Sequence, residues 1–401
     1  SGSSRRDFLK VSSTALLGAG TAGLVAPRAA RADDGASGPP PTLVVIYLRG
    51  GSDGLNLVVP FSDPLYYEYR PTIAIARPGA EGGCLPLDPR FGLHPAAAPL
   101  HALYEQKMLA PIVNVGSPHP TRSHFDAQDF MEYAAPGART ITEGWLNRYL
   151  TASHEDGRKE AELRALAMQP LLPRALRGEF PVLAVPDIGA TGAMDAFESL
   201  YMCEKGADRG KADEMKPRAD AKNIVEAGQN TIRTLRRFQE ITTGSRGPSN
   251  GAQYPQGGLG DQLRKIAQVI KADCGLEVAA IDYGGWDHHA RQGGAQGAFA
   301  TMIGNLSASI AAFLQDLGTR AGRVLVLTMS EFGRTVMENG NEGSDHGHGG
   351  YMLAAGGMVN GGRVYGNWTG LERSALYEDR DMPVHTDFRL VFLEVLYRLF
   401  G

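Results

Sequence analysis

Cysteine is nearly absent from this sequence: Cys84, Cys203 and Cys274 are the only three among 401 residues. Their wide spacing and odd number exclude a Cys-x-x-Cys metal knuckle and a disulfide framework, leaving at most one bridge. Positive charge is not in excess either, and a formal net charge of −4 gives no basic surface for nucleic acid. The body of the chain has no apolar run long enough to span a bilayer and no internal period. Stable membrane insertion and a repeat architecture are therefore not expected. What remains is an ordinary soluble composition, 43% apolar and 21% charged, in a chain long enough to bury a large core.

The N-terminus reads as a targeting segment. Ser4-Arg5-Arg6-Asp7-Phe8-Leu9-Lys10 matches a twin-arginine export signal. A short apolar run, Val11 to Val25, follows, and Ala30-Arg31-Ala32 offers a small-residue cleavage site. Residues 1–32 are expected to be removed by the twin-arginine export machinery's processing, and residues 33–41 to form a flexible linker. A folded, periplasmic or secreted protein follows from that reading.

From Thr42 onward, strand and helix signals alternate. Thr42–Leu48, Leu109–Val115, Val278–Ile281 and Arg323–Met329 are continuous apolar runs of buried-strand type. Ser123–Ala134, Ala298–Leu317 and Leu390–Phe400 carry helical periodicity. The alternation predicts an α/β domain over 42–401 with a mostly parallel central sheet flanked by helices. The stretch from about 150 to 262 has few strand signals and more charge, and is expected to be a helical insertion or cap. Its charge run from Asp208 to Lys222 reads as a solvated helix face.

Four motifs directly follow expected strands, at the sheet edge where ligands bind in open parallel folds. Gly50-Gly51-Ser52-Asp53-Gly54-Leu55-Asn56 offers Asp53 as a carboxylate ligand or as a turn cap. His119-Pro120-Thr121-Arg122-Ser123-His124 places Ser123 at a helix start, as an N-cap or as a nucleophile beside free N–H groups. Gly284-Gly285-Trp286-Asp287-His288-His289 sets a carboxylate beside two imidazoles, as half of a metal site or as a structural hydrogen-bonded group. The densest stretch is Ser330-Glu331-Phe332-Gly333-Arg334-Thr335 with Ser344-Asp345-His346-Gly347-His348, where carboxylates and imidazoles suit zinc, manganese, calcium or iron. Six of the ten histidines fall in these loops, which packing alone does not explain. Arg49, Arg122 and Arg334 lie there too, as anion clamps or as surface ion pairs.

Taken together, Gly-Gly-x-Asp-Gly-Leu-Asn, Ser-His-Phe, Gly-Trp-Asp-x-His, Ser-Glu-Phe-Gly-Arg-Thr and Asp-His-Gly-His-Gly-Gly resemble the exported bacterial domain-of-unknown-function family 1501. The resemblance runs from Thr42 to the C-terminus and includes Thr386-Asp387-Phe388-Arg389. More distantly, the motif order is similar to the alkaline phosphatase and sulfatase superfamily. That resemblance implies an alkaline phosphatase-like fold with Asp53 as a ligand and Ser123 as nucleophile. It implies Asp287 and His289 on one ion, Glu331 and His346 on a second, and Asp345 and His348 as ligands or their supports. His385 is an alternative late ligand. Two departures stand out. Phe332 follows Glu331 where the superfamily offers Asp-His, and Cys84-Leu85-Pro86-Leu87-Asp88 lacks the arginine of the sulfatase maturation pattern. A formylglycine sulfatase is therefore not expected.

These readings lead to an exported, metal-dependent hydrolase of phosphate or sulfate esters with one or two divalent ions. Ser123 or a water would attack, Arg122 and Arg334 would assist, and an anionic small molecule or polymer would be the substrate. The alternative is a non-catalytic binding or assembly protein on the same scaffold.

Overall fold

The continuous apolar run from Thr42 to Arg49 forms strand β1, with every residue but the last buried. Its side chains alternate between two cores, as the two-residue period of a strand requires. Val44, Ile46 and Leu48 join one hydrophobic cluster, while Leu43, Val45 and Tyr47 join the other. A strand buried on both faces belongs in the middle of a sheet with helices on each side.

The computed structural model describes residues 23–26, 38–155, 161, 163–185, 219–244 and 247–401. The Arg5-Arg6 motif, the Ala30-Arg31-Ala32 site, Cys203 and the start of the charge run at Asp208 lie outside the described residues. Cys84 and Cys274 are free thiols. The other strands of the central sheet are β2 (Leu109–Gly116), β3 (Ala165–Ala167), β4 (Leu183–Ala184), β5 (Val278–Gly284), β6 (Val324–Met329), β7 (Gly350–Ala355) and β8 (Thr386–Asp387). Their order is β8-β2-β7-β6-β1-β5-β3-β4. Only β7 runs against its neighbours, so the sheet is mostly parallel.

Helices cover both faces. On the Val44 side lie α1 (Ala98–Glu105), α5 (Gly258–Lys271) and α6 (Ala298–Leu317). On the Val45 side lie α3 (Trp145–Glu155) and α7 (Phe388–Phe400). Helix α6 buries Phe299, Ile303, Leu306, Ile310 and Phe313 on one stripe, the three- and four-residue spacing of an amphipathic helix. Together with the turn behind it, α6 is long and apolar enough to cross a membrane by length and composition; here it is a core helix.

The stretch from 150 to 262 does more than its sequence suggested. Its described residues supply β3 and β4 at one sheet edge, and the first turn of α5, with Leu259 in the core. Helix α4 (Ala219–Gly244) packs on α5 and β4, with Phe238 and Ile241 in the core. These residues widen the sheet and thicken its flank. Within the expected leader, Gly23–Ala26 is also part of the packed structure, with Leu24 and Val25 fully buried.

Register brings the motif loops together. Arg49 pairs with Gly284 across β1 and β5, and Tyr47 pairs with Met329 across β1 and β6. The three exit loops therefore leave the sheet side by side. Gly50 has a φ of 124°, and a Cβ there would sit 2.6 Å from the Asp287 nitrogen. Only glycine lets these two loops approach so closely.

Candidate metal centre

The site is assembled from three loop segments and one helix start. Asp287 and His289 follow β5, and Glu331 and Arg334 follow β6. His124 opens α2 (His124–Glu132), beyond the exit of β2. Asp345 and His346 belong to the loop that enters β7 and doubles back along the Glu331 loop. The Thr335 N–H donates to the Asp345 carbonyl at 2.9 Å, and the Gly347 N–H donates to the Gly333 carbonyl at 2.8 Å. That stitching fixes His346 opposite Arg334.

Three imidazoles converge on one carboxylate. The Oδ1 of Asp287 lies 3.0 Å from His289 Nε2 and 3.2 Å from His346 Nε2. Its Oδ2 lies 3.3 Å from His124 Nε2. The Nε2 atoms of His289 and His346 are themselves 3.0 Å apart. Donor atoms of His124, Asp287 and His346 all fall within 4.8 Å of one another.

The far side of each ring explains why they point inward. Nδ1 of His124 meets Glu331 Oε1 at 2.8 Å, and Nδ1 of His289 meets Asp345 Oδ1 at 2.8 Å. Nδ1 of His346 meets the Arg122 carbonyl at 2.9 Å. A carbonyl can only accept, and both carboxylates are held below their usual range. Burial alone would raise Glu331, but hydrogen bonds from His124, Gln128 and the Gly50 N–H lower it. The hydrogen bond from His289 lowers Asp345. Each Nδ1 is therefore satisfied by the acceptor behind it, and each Nε2 is left facing Asp287.

The His289 and His346 Nε2 atoms, 3.0 Å apart, can be held together by a shared proton or by a cation. Burial and the nearby Arg334 hold His346 below its ordinary pKa, which opposes a proton there. Metal bonds of about 2.0–2.1 Å place tetrahedral donors roughly 3.3 Å apart, close to the spacing here. The nitrogen and carboxylate donors thus fit a divalent ion such as zinc.

Arg334 holds Asp287 in place. Its guanidinium is buried and donates to the carbonyls of Gly51 at 2.6 Å, Ser344 at 2.8 Å, Gly50 at 2.8 Å and Trp286 at 3.2 Å. It also pairs with Asp287 Oδ1. Burial would raise the Asp287 pKa, but Arg334, His289 and His346 bring it down to about 2. Because one side chain ties three loops, Arg334→Met is expected to cost about 3–5 kcal/mol in a denaturant melt. Arg334→Lys should recover little of it, since an ammonium cannot reproduce the planar fork.

Residues 113–401 match the family described as Protein of unknown function (DUF1501). The chain belongs to this family. Among solved structures, the C-terminal periplasmic domain of EcEptC from Escherichia coli, in complex with Zn, is similar with a TM-score of 0.33 and 11% identity. The match covers 80% of this chain and 75% of that one. Phosphonate monoester hydrolase of Agrobacterium radiobacter is similar with a TM-score of 0.24 and 12% identity, over 82% of this chain and 71% of that one. No curated protein sequence matches.

In this DUF1501 chain the residues singled out from sequence take different places. Asp287, His289 and His346 stand together at the centre. Glu331, expected as a ligand, and Asp345, expected as a ligand or a support, stand one step back against Nδ1 of His124 and of His289. Asp53 is not in the cluster: its buried carboxylate takes Arg70 at 2.6 Å, Gln292 at 2.6 Å and the Leu55 N–H at 3.2 Å. These three donors tie the 2%-exposed carboxylate to Arg70, Gln292 and its own turn, apart from the His124–Asp287–His346 group. His348 stacks on Tyr377 with ring centroids 4.3 Å apart, and burial lowers its pKa to about 4. His385 sits beside Thr369 at 3.2 Å, apart from the cluster.

The arginines are also committed. Arg122 pairs with Asp381 at 2.6 Å and Glu378 at 2.7 Å, and Arg49 pairs with Asp282 at 2.8 Å and Glu132 at 3.2 Å. Arg122 contributes to the cluster through its backbone carbonyl rather than its charge. Ser123 is exposed at the N-cap of α2, and its hydroxyl makes no cap hydrogen bond. His124 belongs to the candidate metal group although its motif pointed to Ser123. Its signal is the four-residue step to Gln128, which puts both side chains on Glu331, at 2.8 and 2.9 Å. Glu331→Gln is expected to weaken divalent-metal binding by about 10–100-fold, measured by competition with a chromogenic chelator.

Proposed function

We propose that this DUF1501 protein is an exported, metal-dependent hydrolase of phosphate or sulfate esters on an alkaline phosphatase-like scaffold. The observation that carries the reading is the convergence of His124, His289 and His346 Nε2 on Asp287, each ring fixed from behind by an acceptor. A divalent ion bound there would polarise an ester and offset the charge that develops on it. The chain's own groups would do the rest. The N-terminus of α2 favours an anionic group through its unpaired N–H groups and dipole. Ser123, exposed beside His124 and free of a capping role, is the candidate attacking hydroxyl, with a water molecule as the other attacker. Asp287 and His289 are open to solvent on one side, at 42% and 45% side-chain exposure, so a substrate can reach them. The Arg5-Arg6 leader supports export by the twin-arginine route, to the periplasm or outside.

The test is hydrolysis of chromogenic phosphate monoesters, phosphate diesters and sulfate esters, before and after chelation and after return of zinc, manganese, calcium or iron. Activity that disappears with the chelator and returns with one ion supports the reading. A metal-loaded protein inert toward every ester class would sink it. A non-catalytic binding or assembly role would then stand. One feature favours that second reading: Arg49, Arg122 and Arg334 are all paired internally, so none is left to clamp an anion.

A further inference from the structure

The leader read from sequence and the packed structure overlap at Gly23–Ala26. Val25 bridges Val359 in antiparallel fashion. The Ala26 N–H donates to the Met358 carbonyl at 3.0 Å, and the Asn360 N–H donates to the Leu24 carbonyl at 2.8 Å. The Gly23 carbonyl accepts from Asn360 Nδ2 at 3.2 Å and from Tyr365 Oη at 3.2 Å. Leu24 and Val25 are 0% exposed and share a core cluster with Met358, Val359 and Tyr365.

We propose that Gly23–Ala26 is retained in the mature protein as a clasp on residues 358–365, and that processing takes place upstream of Gly23 rather than at Ala30-Arg31-Ala32. Two arguments carry this. Cutting after Ala32 would release two fully buried apolar side chains, uncover their partners in the core and strip the Asn360 N–H of its acceptor. The same two residues also end the leader's apolar run. Without them Val11 to Ala22 still has the roughly 7–15-residue length of an export leader's apolar region, so Leu24 and Val25 can stay in the core while the leader is used. The clasp therefore belongs to the fold that the twin-arginine route exports already folded.

The experiment begins with the full chain, expressed in cells that export it, and the intact mass of the folded product. A mass that includes Gly23–Ala26 is expected; a chain beginning at Asp33 overturns the proposal. In parallel, chains of residues 23–401 and 38–401 are compared. Loss of the clasp should lower Tm by on the order of 5 °C and speed amide exchange at Asn360 by at least about tenfold. Equal Tm and equal Asn360 protection in the two chains would also overturn it. Should 38–401 fail to fold, Leu24→Ser in the 23–401 chain gives the same exchange readout. Unaltered protection of Asn360 there would count against the clasp.

Discussion

Replacing His346 or Asp287 by alanine should empty the protein of its divalent metal, from near one equivalent to near none by plasma mass spectrometry of the folded protein. The expected loss exceeds the roughly 10–100-fold that an outer hydrogen-bond partner is worth, because a donor atom itself is removed. Asp287 is the hub: both its oxygens face imidazole nitrogens, at 3.0, 3.2 and 3.3 Å. Its removal leaves three rings with no carboxylate to offset the ion's charge. Alanine also leaves buried Arg334 without an acceptor at this position, so Asp287→Asn, which loses the charge but keeps the shape and an acceptor oxygen, is the cleaner variant for separating metal loss from unfolding. His346→Ala tests the other half, since its ring bridges Asp287, His289 and the backbone of Arg122. Asp53→Asn should retain metal, because that carboxylate is spent on Arg70 and Gln292. Metal lost in Asp53→Asn and kept in Asp287→Asn would invert the assignment.

Ser123→Ala is expected to remove at least about a thousandfold of ester turnover while metal content and Tm stay unchanged. The unchanged Tm follows from geometry. Ser123 is exposed and makes no side-chain cap bond, so its hydroxyl contributes little to α2. The lost turnover follows from its place, one residue before His124 at the positive end of that helix. A burst of product equal to the enzyme concentration in the parent, absent from the variant, would identify a covalent step. If Ser123→Ala keeps its turnover and its metal, a water molecule is the attacker and Ser123 is an ordinary surface residue.

The sheet was legible because its inner strands are apolar on both faces. Thr42–Leu48, Leu109–Val115, Val278–Ile281 and Arg323–Met329 all read as strands and stand within a few residues of the observed elements. The four short or small-residue strands did not read. Ala165–Ala167 and Leu183–Ala184 are too brief to show a period, and Gly350–Ala355 begins in the glycines of the motif loop. Packing, not propensity, makes them strands.

Sequence alone determined the α/β class, the sheet edge at which the chemistry gathers, and the family. Each rests on patterns local in the chain: a run of apolar residues, a glycine turn after it, a motif within it. It did not determine which carboxylates face inward. Glu331 and Asp287 look alike in their motifs. Tertiary structure makes Asp287 the hub and sets Glu331 behind His124, its partner 207 residues away in sequence. The reason is physical. An imidazole turns one nitrogen toward whichever acceptor lies behind it, and that acceptor arrives only when parallel strands bring distant loops to the same edge.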